Sequence, residues 1–197
     1  MKYRIMRNHK ILALLPFAVL TVAAQGAGHV NRDDVRCDAA LFYIDKLISE
    51  KPGRPMVFSD SPEDTPSSTG SGYWLSKNLK QRVLKPPASL LTNAGRDGGR
   101  SAIQFCQSIR DRLKAAKISF GADAVKSVVE IDQSNKFGYK YDIVGVTLPV
   151  VSASKNSAIL YSSRTSGPLA AGLYIFYLKR DRSHHWRIVG SKVVSVA

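Results

Sequence analysis

Histidine and cysteine are scarce in this chain, and carboxylates are heavily outnumbered. Of 197 residues four are His and two are Cys, and 15 Asp and Glu stand against 29 Lys and Arg. The shortage of His argues against an acid–base enzyme built on imidazole. Beyond residue 24 only His29, His184 and His185 remain, each near a terminus or in an expected turn. Cys37 and Cys106 have no His close to either, which is not the spacing of a metal site, so neither a metal nor a cofactor is expected. No apolar run reaches the ~20 residues that a helix needs to cross a bilayer. No repeat of 20 to 50 residues is visible, which sets solenoids and propellers aside.

The apolar run that does exist is short and follows a basic head. Lys2, Arg4, Arg7 and Lys10 precede Ile11 to Ala23, interrupted only by Pro16 and Thr21, and Val22 and Ala24 are the small residues a signal peptidase reads. This predicts a secretory signal peptide over residues 1–24, with Gly26 and Ala27 as alternative cleavage points. No Cys stands there to take a lipid. The processed chain, residues 25–197, is then one domain, periplasmic or secreted, with no transmembrane segment. In that oxidising setting Cys37 and Cys106 are expected to form a disulfide. It would close a loop of about 70 residues and stabilise by roughly 4 kcal/mol in the chain-entropy model.

The formal net charge is +14, and removing four cations with the leader leaves the chain strongly basic. A cationic surface draws anionic partners through long-range attraction. Outside the cytoplasm these are an acidic protein or an envelope component such as lipid headgroups or glycans, whereas nucleic acid is rarely met there. Composition does not give an oligomeric state.

Periodicity predicts an α+β fold, with N-terminal helices packed on one face of a C-terminal antiparallel meander of four to five strands. Asn31 to Glu50 read as a helix with acids in its first turn, stopped by Lys51-Pro52-Gly53. Met56 to Phe58 could be a short strand. Ser59 to Gly72, rich in Ser, Pro, Gly and acids, reads as a long mobile loop, either a plain surface excursion or a binding loop. Tyr73 to Lys85 and Arg100 to Lys117 read as helices, and the disulfide would tie the first helix to the third. From Val125 the period shortens towards two. Strands are expected over Val125–Asp132, Tyr139–Val151, Ser157–Ser163, Leu173–Lys179 and Trp186–Val196, with turns at Ser134–Gly138, Ser152–Asn156 and Asp181–His185, and an interruption at Ser166–Gly172.

Several residue groups invite a chemical reading. Arg110, Lys114 and Lys117 recur at helical spacing and, with Lys80 and Arg82, make a candidate anion-binding surface; a solvated helix face has the same pattern. Glu130 and Asp132, two apart on an expected strand, would share a face, and with Tyr139 and Tyr141 could line an acid–base pocket. Ser152-Ala153-Ser154-Lys155 matches Ser-x-x-Lys, and Arg164-Thr165-Ser166-Gly167 faintly echoes Lys-Thr-Gly, but the first sits in an expected turn instead of at a helix start. Gly70-Ser71-Gly72 lacks the strand and helix of a nucleophile elbow. His184 and His185 are adjacent and do not converge on one metal. An amino-terminal His29 could chelate copper, but the cleavage this needs is poorer than the one after Ala24.

Ala158 to Ser163, Gly167-Pro168-Leu169, Gly172, Tyr174 to Leu178 and Trp186-Arg187-Ile188-Val189 follow in that order. This stretch of about 40 residues resembles the end of exported bacterial α+β domains. The resemblance implies an exported bacterial origin, a wide turn between two strands, and a Trp anchoring the last hairpin. Such domains often carry a Cys pair where this chain has Ser166 and Ala170, so that local bridge is absent. By layout alone, a helix-and-sheet cone of the nuclear-transport-factor-2 type is one home for it. Charge and the lack of a convergent catalytic set point to a non-enzymatic binding module for an anionic partner, as an inhibitor or immunity-type protein would be. The alternative is a small envelope hydrolase or ligand-binding domain with its pocket between helices and sheet.

Overall fold

The computed structural model describes residues 32–50, 53–61, 84–97, 99–132 and 138–196. The expected signal peptide, His29, residues 62–72 of the expected loop, the Gly70-Ser71-Gly72 motif, and Lys80 and Arg82 of the expected second helix lie outside these residues. The elements in chain order are α1 (Arg32–Ser49), β1 (Met56–Ser59), α2 (Ala88–Asp97), α3 (Ala102–Phe105), α4 (Gln107–Ala115), α5 (Ala122–Asp132), β2 (Asp142–Val146), β3 (Val150–Val151), β4 (Ser157–Gly167), β5 (Ala170–Arg180) and β6 (Trp186–Val196). The fold is α+β, as expected from helices early and strands late.

The sheet runs β1-β2-β4-β5-β6, with β3 also paired to β4. It is mixed, not a pure antiparallel meander: β1 runs parallel to β2, Met56 facing Asp142 and Phe58 facing Val144, while the other pairings are antiparallel. A parallel neighbour needs a long crossover, and here the whole helical region between β1 and β2 supplies it. The single strand expected over Tyr139–Val151 is two, because the chain leaves the ladder at Thr147 to Pro149. There Leu148 N donates to Arg100 O (2.7 Å) and Arg36 Nε to Pro149 O (2.8 Å). The break expected at Ser166–Gly172 is instead a tight hairpin, with Gly167 already paired to Ala170 and Leu169 exposed at its tip.

Helices cover both faces of the sheet. On one, α1, α3 and α4 bury Val35, Ala39, Ile44, Ile103, Ile109 and Leu113 against Phe58, Val144, Val146, Leu160 and Leu178. On the other, Leu90 and Ala94 of α2 meet Val150, Ile159, Tyr161, Ile175 and Tyr177. The one-face packing expected from the sequence is therefore corrected. In α1 the inward stripe takes in Tyr43 and Ile44, whereas Leu41 and Phe42 are only half-buried.

The disulfide Cys37–Cys106 is present and joins α1 to the α3–α4 junction. Cys106 has extended backbone (φ −101°, ψ 111°), which splits the single helix expected over Arg100–Lys117. Asp38 strengthens the same docking, accepting from Arg180 Nη2 and from Trp186 Nε1 (3.0 Å), with the Arg180 guanidinium 4.9 Å from the Trp186 ring centroid. Trp186 thus links the start of β6 to α1.

The largest departure is α5. Val125–Asp132 is helix, not strand. Its β-branched residues favour strands as a class, but Val125, Val128 and Val129 stand at three- and four-residue steps, and Lys126 pairs with Glu130 along the helix (3.7 Å). Among the described residues no helix is long and apolar enough to cross a membrane.

Candidate functional site

Two adjoining depressions flank β1, the edge strand of the sheet. The first is a cleft of about 280 Å³ between the C-terminal half of α1 and the sheet. Tyr43 and Leu47 come from α1, Met56 from β1, Val144 from β2, Ser162 and Arg164 from β4, and Tyr174 and Phe176 from β5. One wall is aromatic, with Tyr43 and Phe176 ring centroids 4.7 Å apart. Burial pushes the Tyr43 hydroxyl well above the ordinary phenol range, opposed in part by its hydrogen bond with Ser162. Tyr43 therefore stays a neutral donor or acceptor at physiological pH.

The charge in this cleft is compensated. Asp142, 1% exposed, accepts on Oδ2 from Arg164 Nε (2.9 Å) and Nη2, and on Oδ1 from Ser166 Oγ (2.6 Å). The Arg164 side chain is 45% exposed, and among the described residues its Nη1 makes no hydrogen bond.

The second depression, about 390 Å³, opens on the other side of Met56. Arg54 and Lys117 supply two positive charges, Tyr141 and Ser119 are the residues that carry hydroxyls, and Ile48, Pro55, Val57 and Ile118 are the apolar remainder, with no carboxylate in the lining among the described residues. Arg54 is held in place: its Nη1 donates to Tyr139 O (3.1 Å) and Ser166 O (3.2 Å). Its Nε and Nη2 carry no hydrogen bond among the described residues.

Lys117 is positioned by the end of α4. Ile118 N donates to Leu113 O and Lys117 N to Lys114 O, both at 3.0 Å, which is the double hydrogen bond of a Schellman motif. The left-handed residue of that motif is ordinarily glycine, but here it is Lys117, at φ 56°. A lysine in this conformation costs on the order of 1 kcal/mol, and Lys117 is among the residues that line the pocket.

The other expected site residues are distributed differently. Arg110 is committed to structure: its Nη1 donates to Ile103 O and Gln104 O (2.6 Å each), tying down the end of α3, and its Nε and Nη2 reach Gln107 Oε1. Lys114 is exposed on α4, and Lys117 lies past the helix end, so the three cations do not form one continuous helical face. Glu130 and Asp132 lie on a helix, where the period of two does not apply, and Glu130 faces Lys126. The shared strand face on which the expected acid–base pocket rested is therefore not present; Tyr141 lines the cationic pocket, and Tyr139 binds Ser166 O through its backbone N–H (2.7 Å).

Ser152 to Lys155 form a hairpin turn, with Lys155 N donating to Ser152 O (2.9 Å) and Lys155 at φ 57°. His184 and His185 are exposed in the last hairpin. No group of three potential ligands close enough to hold a metal occurs among the described residues. Sequence reasoning missed Arg54 and Asp142, for which no local pattern exists, and met Arg164 only in the faint Lys-Thr-Gly echo.

No family model, no curated protein and no solved structure matches this chain.

Proposed function

We propose that the protein is an exported, non-catalytic binding module that recognises an anionic group through the Arg54–Lys117 pocket. The observation that carries this reading is the convergence of two cations from separate segments on a depression lined, among the described residues, by no carboxylate. Opposite charge and hydroxyl donors favour a carboxylate, sulfate or phosphate there. The backbone strain at Lys117 supports it further, since glycine at the same position would serve the fold better. Export is supported by the basic head and apolar run of residues 1–24 and by a disulfide, which persists in oxidising compartments.

Lys117→Gly separates the two roles of this residue. The substitution should stabilise the fold by about 0.5–1 kcal/mol while weakening anion binding. Inorganic phosphate titrated into the oxidised protein should shift the amide resonances of Lys117, Ser119 and Tyr141, less so at raised ionic strength and less so in Lys117→Gly. Shifts that are absent, or identical in the variant, overturn the reading. Mass spectrometry of natively expressed protein checks the export: a chain beginning near Gln25 supports it, and an intact Met1 with both thiols free sinks it.

A further inference from the structure

We infer that the ligand is a single-chain amphiphile, its anionic head held by Arg54 and Lys117 and its apolar tail lying in the cleft under α1. This rests on the reading of the cationic pocket just given and adds the chemistry of the rest of the molecule. Three observations join the two depressions. Met56 lines both, and the consecutive residues Leu47 and Ile48 of α1 line one each. A methionine side chain is the most adaptable apolar divider available. The two arginines also belong to one hydrogen-bonded chain: Arg54 donates to Ser166 O, Ser166 Oγ to Asp142, and Arg164 to the same carboxylate.

Charge fixes the orientation. Asp142 neutralises Arg164, so the cleft offers an aromatic and aliphatic wall with no net charge. Among the described residues Arg54 and Lys117 share their pocket lining with no carboxylate, so the anionic end is drawn there. Size fixes the number of tails: about 280 Å³ is at the small end of ligand pockets, room for one short chain and not for a two-chain lipid. The occupant is thus a free amphiphile, not a bilayer surface.

The test uses the oxidised protein and a series of alkyl phosphates, from butyl to decyl, below their micellar concentrations, followed by calorimetry beside inorganic phosphate and octyl glucoside. Affinity should rise with chain length and then level off, with the best alkyl phosphate at least tenfold tighter than inorganic phosphate and the uncharged glucoside much weaker. Leu47→Trp should remove most of the chain-length gain and leave inorganic phosphate binding unchanged, whereas Lys117→Gly should weaken every anion. The length series needs no variant, so it decides even if Leu47→Trp does not fold. Inorganic phosphate binding without any chain-length gain overturns the amphiphile and leaves the cationic pocket standing. If neither phosphate nor alkyl phosphate binds, the pocket reading fails as well. Binding to phosphatidylglycerol vesicles with the alkyl phosphates silent also overturns the inference.

Discussion

Arg164 reaches from β4 to Asp142 on β2 and places two donors, Nε and Nη2, on one carboxylate oxygen, while Ser166 Oγ occupies the other. Asp142 is 1% exposed, so these partners take the place of the water that its carboxylate would otherwise bind. Asp142→Ala should cost about 2–3 kcal/mol, since it strips Arg164 of its partner and removes a charged hydrogen-bond acceptor. Arg164→Ala should cost a similar amount by leaving the carboxylate with Ser166 alone. The double variant should cost clearly less than the two losses added together, because the buried charge has then gone with its partner. Urea unfolding of the four proteins checks this, and strict additivity would show that the pair is not coupled.

The disulfide makes a second, independent prediction. Cys37–Cys106 spans 69 residues and pins α1 to the start of α4, and in the last turn of α4 Arg112 Nε donates to Asp45 Oδ1 of α1 at 2.6 Å. Replacing both cysteines with Ser should lower the unfolding free energy by about 4 kcal/mol if loop entropy dominates. The slope of the denaturant transition should increase as well, because the reduced unfolded chain is more expanded. An oxidised and a reduced protein with the same midpoint would contradict this.

Much of this arrangement was legible from residue order, and the rest was not for identifiable reasons. The β4 and β5 strands and the bond between Cys37 and Cys106 follow from alternation and from an even pair of cysteines, which are local or compositional signals. The parallel pairing of Met56 with Asp142 depends on a contact across the whole helical region, which no window of sequence contains. Val125 to Asp132 misled because β-branched residues suggest strand by class, while their three- and four-residue spacing is helical. Lys117 and Tyr141 were visible as candidates, but with the wrong neighbours. Arg54 follows a Pro-Gly stop and looks like any loop cation, and only the fold brings it beside Lys117.

Gly138 is a packing requirement for the arginine network. Its φ of 133° is open to glycine and strained for other residues, and a Cβ there would lie 2.7 Å from Ser166 O, the carbonyl that receives both Tyr139 N and Arg54 Nη1. Backbone cannot yield as a side-chain tip can. Gly138→Ala should therefore destabilise by about 1–3 kcal/mol and also weaken phosphate binding, because the Ser166 carbonyl that holds Arg54 must move. Gly53→Ala, where a Cβ meets nothing within 4 Å, is the matched control and should leave both stability and binding nearly unchanged.

Tyr43 sets the alkaline limit. Its hydroxyl is raised above the ordinary value of 10.0 chiefly by burial, with the Ser162 hydrogen bond opposing, and Tyr161 is raised by burial as well. A group that holds its proton more tightly when folded contributes stability that is complete below its unfolded pKa and is lost as pH rises beyond it. Stability should therefore be indifferent to these two residues below about pH 9 and fall steeply above about pH 10, where the unfolded chain sheds both protons and the folded one does not. The last fraction of phenolate absorbance should appear together with loss of the circular dichroism of the fold. Tyr43→Phe should shrink that fraction and flatten the alkaline decline. Complete phenolate formation in a protein that still shows its native spectrum would contradict the burial of Tyr43 between α1 and the sheet.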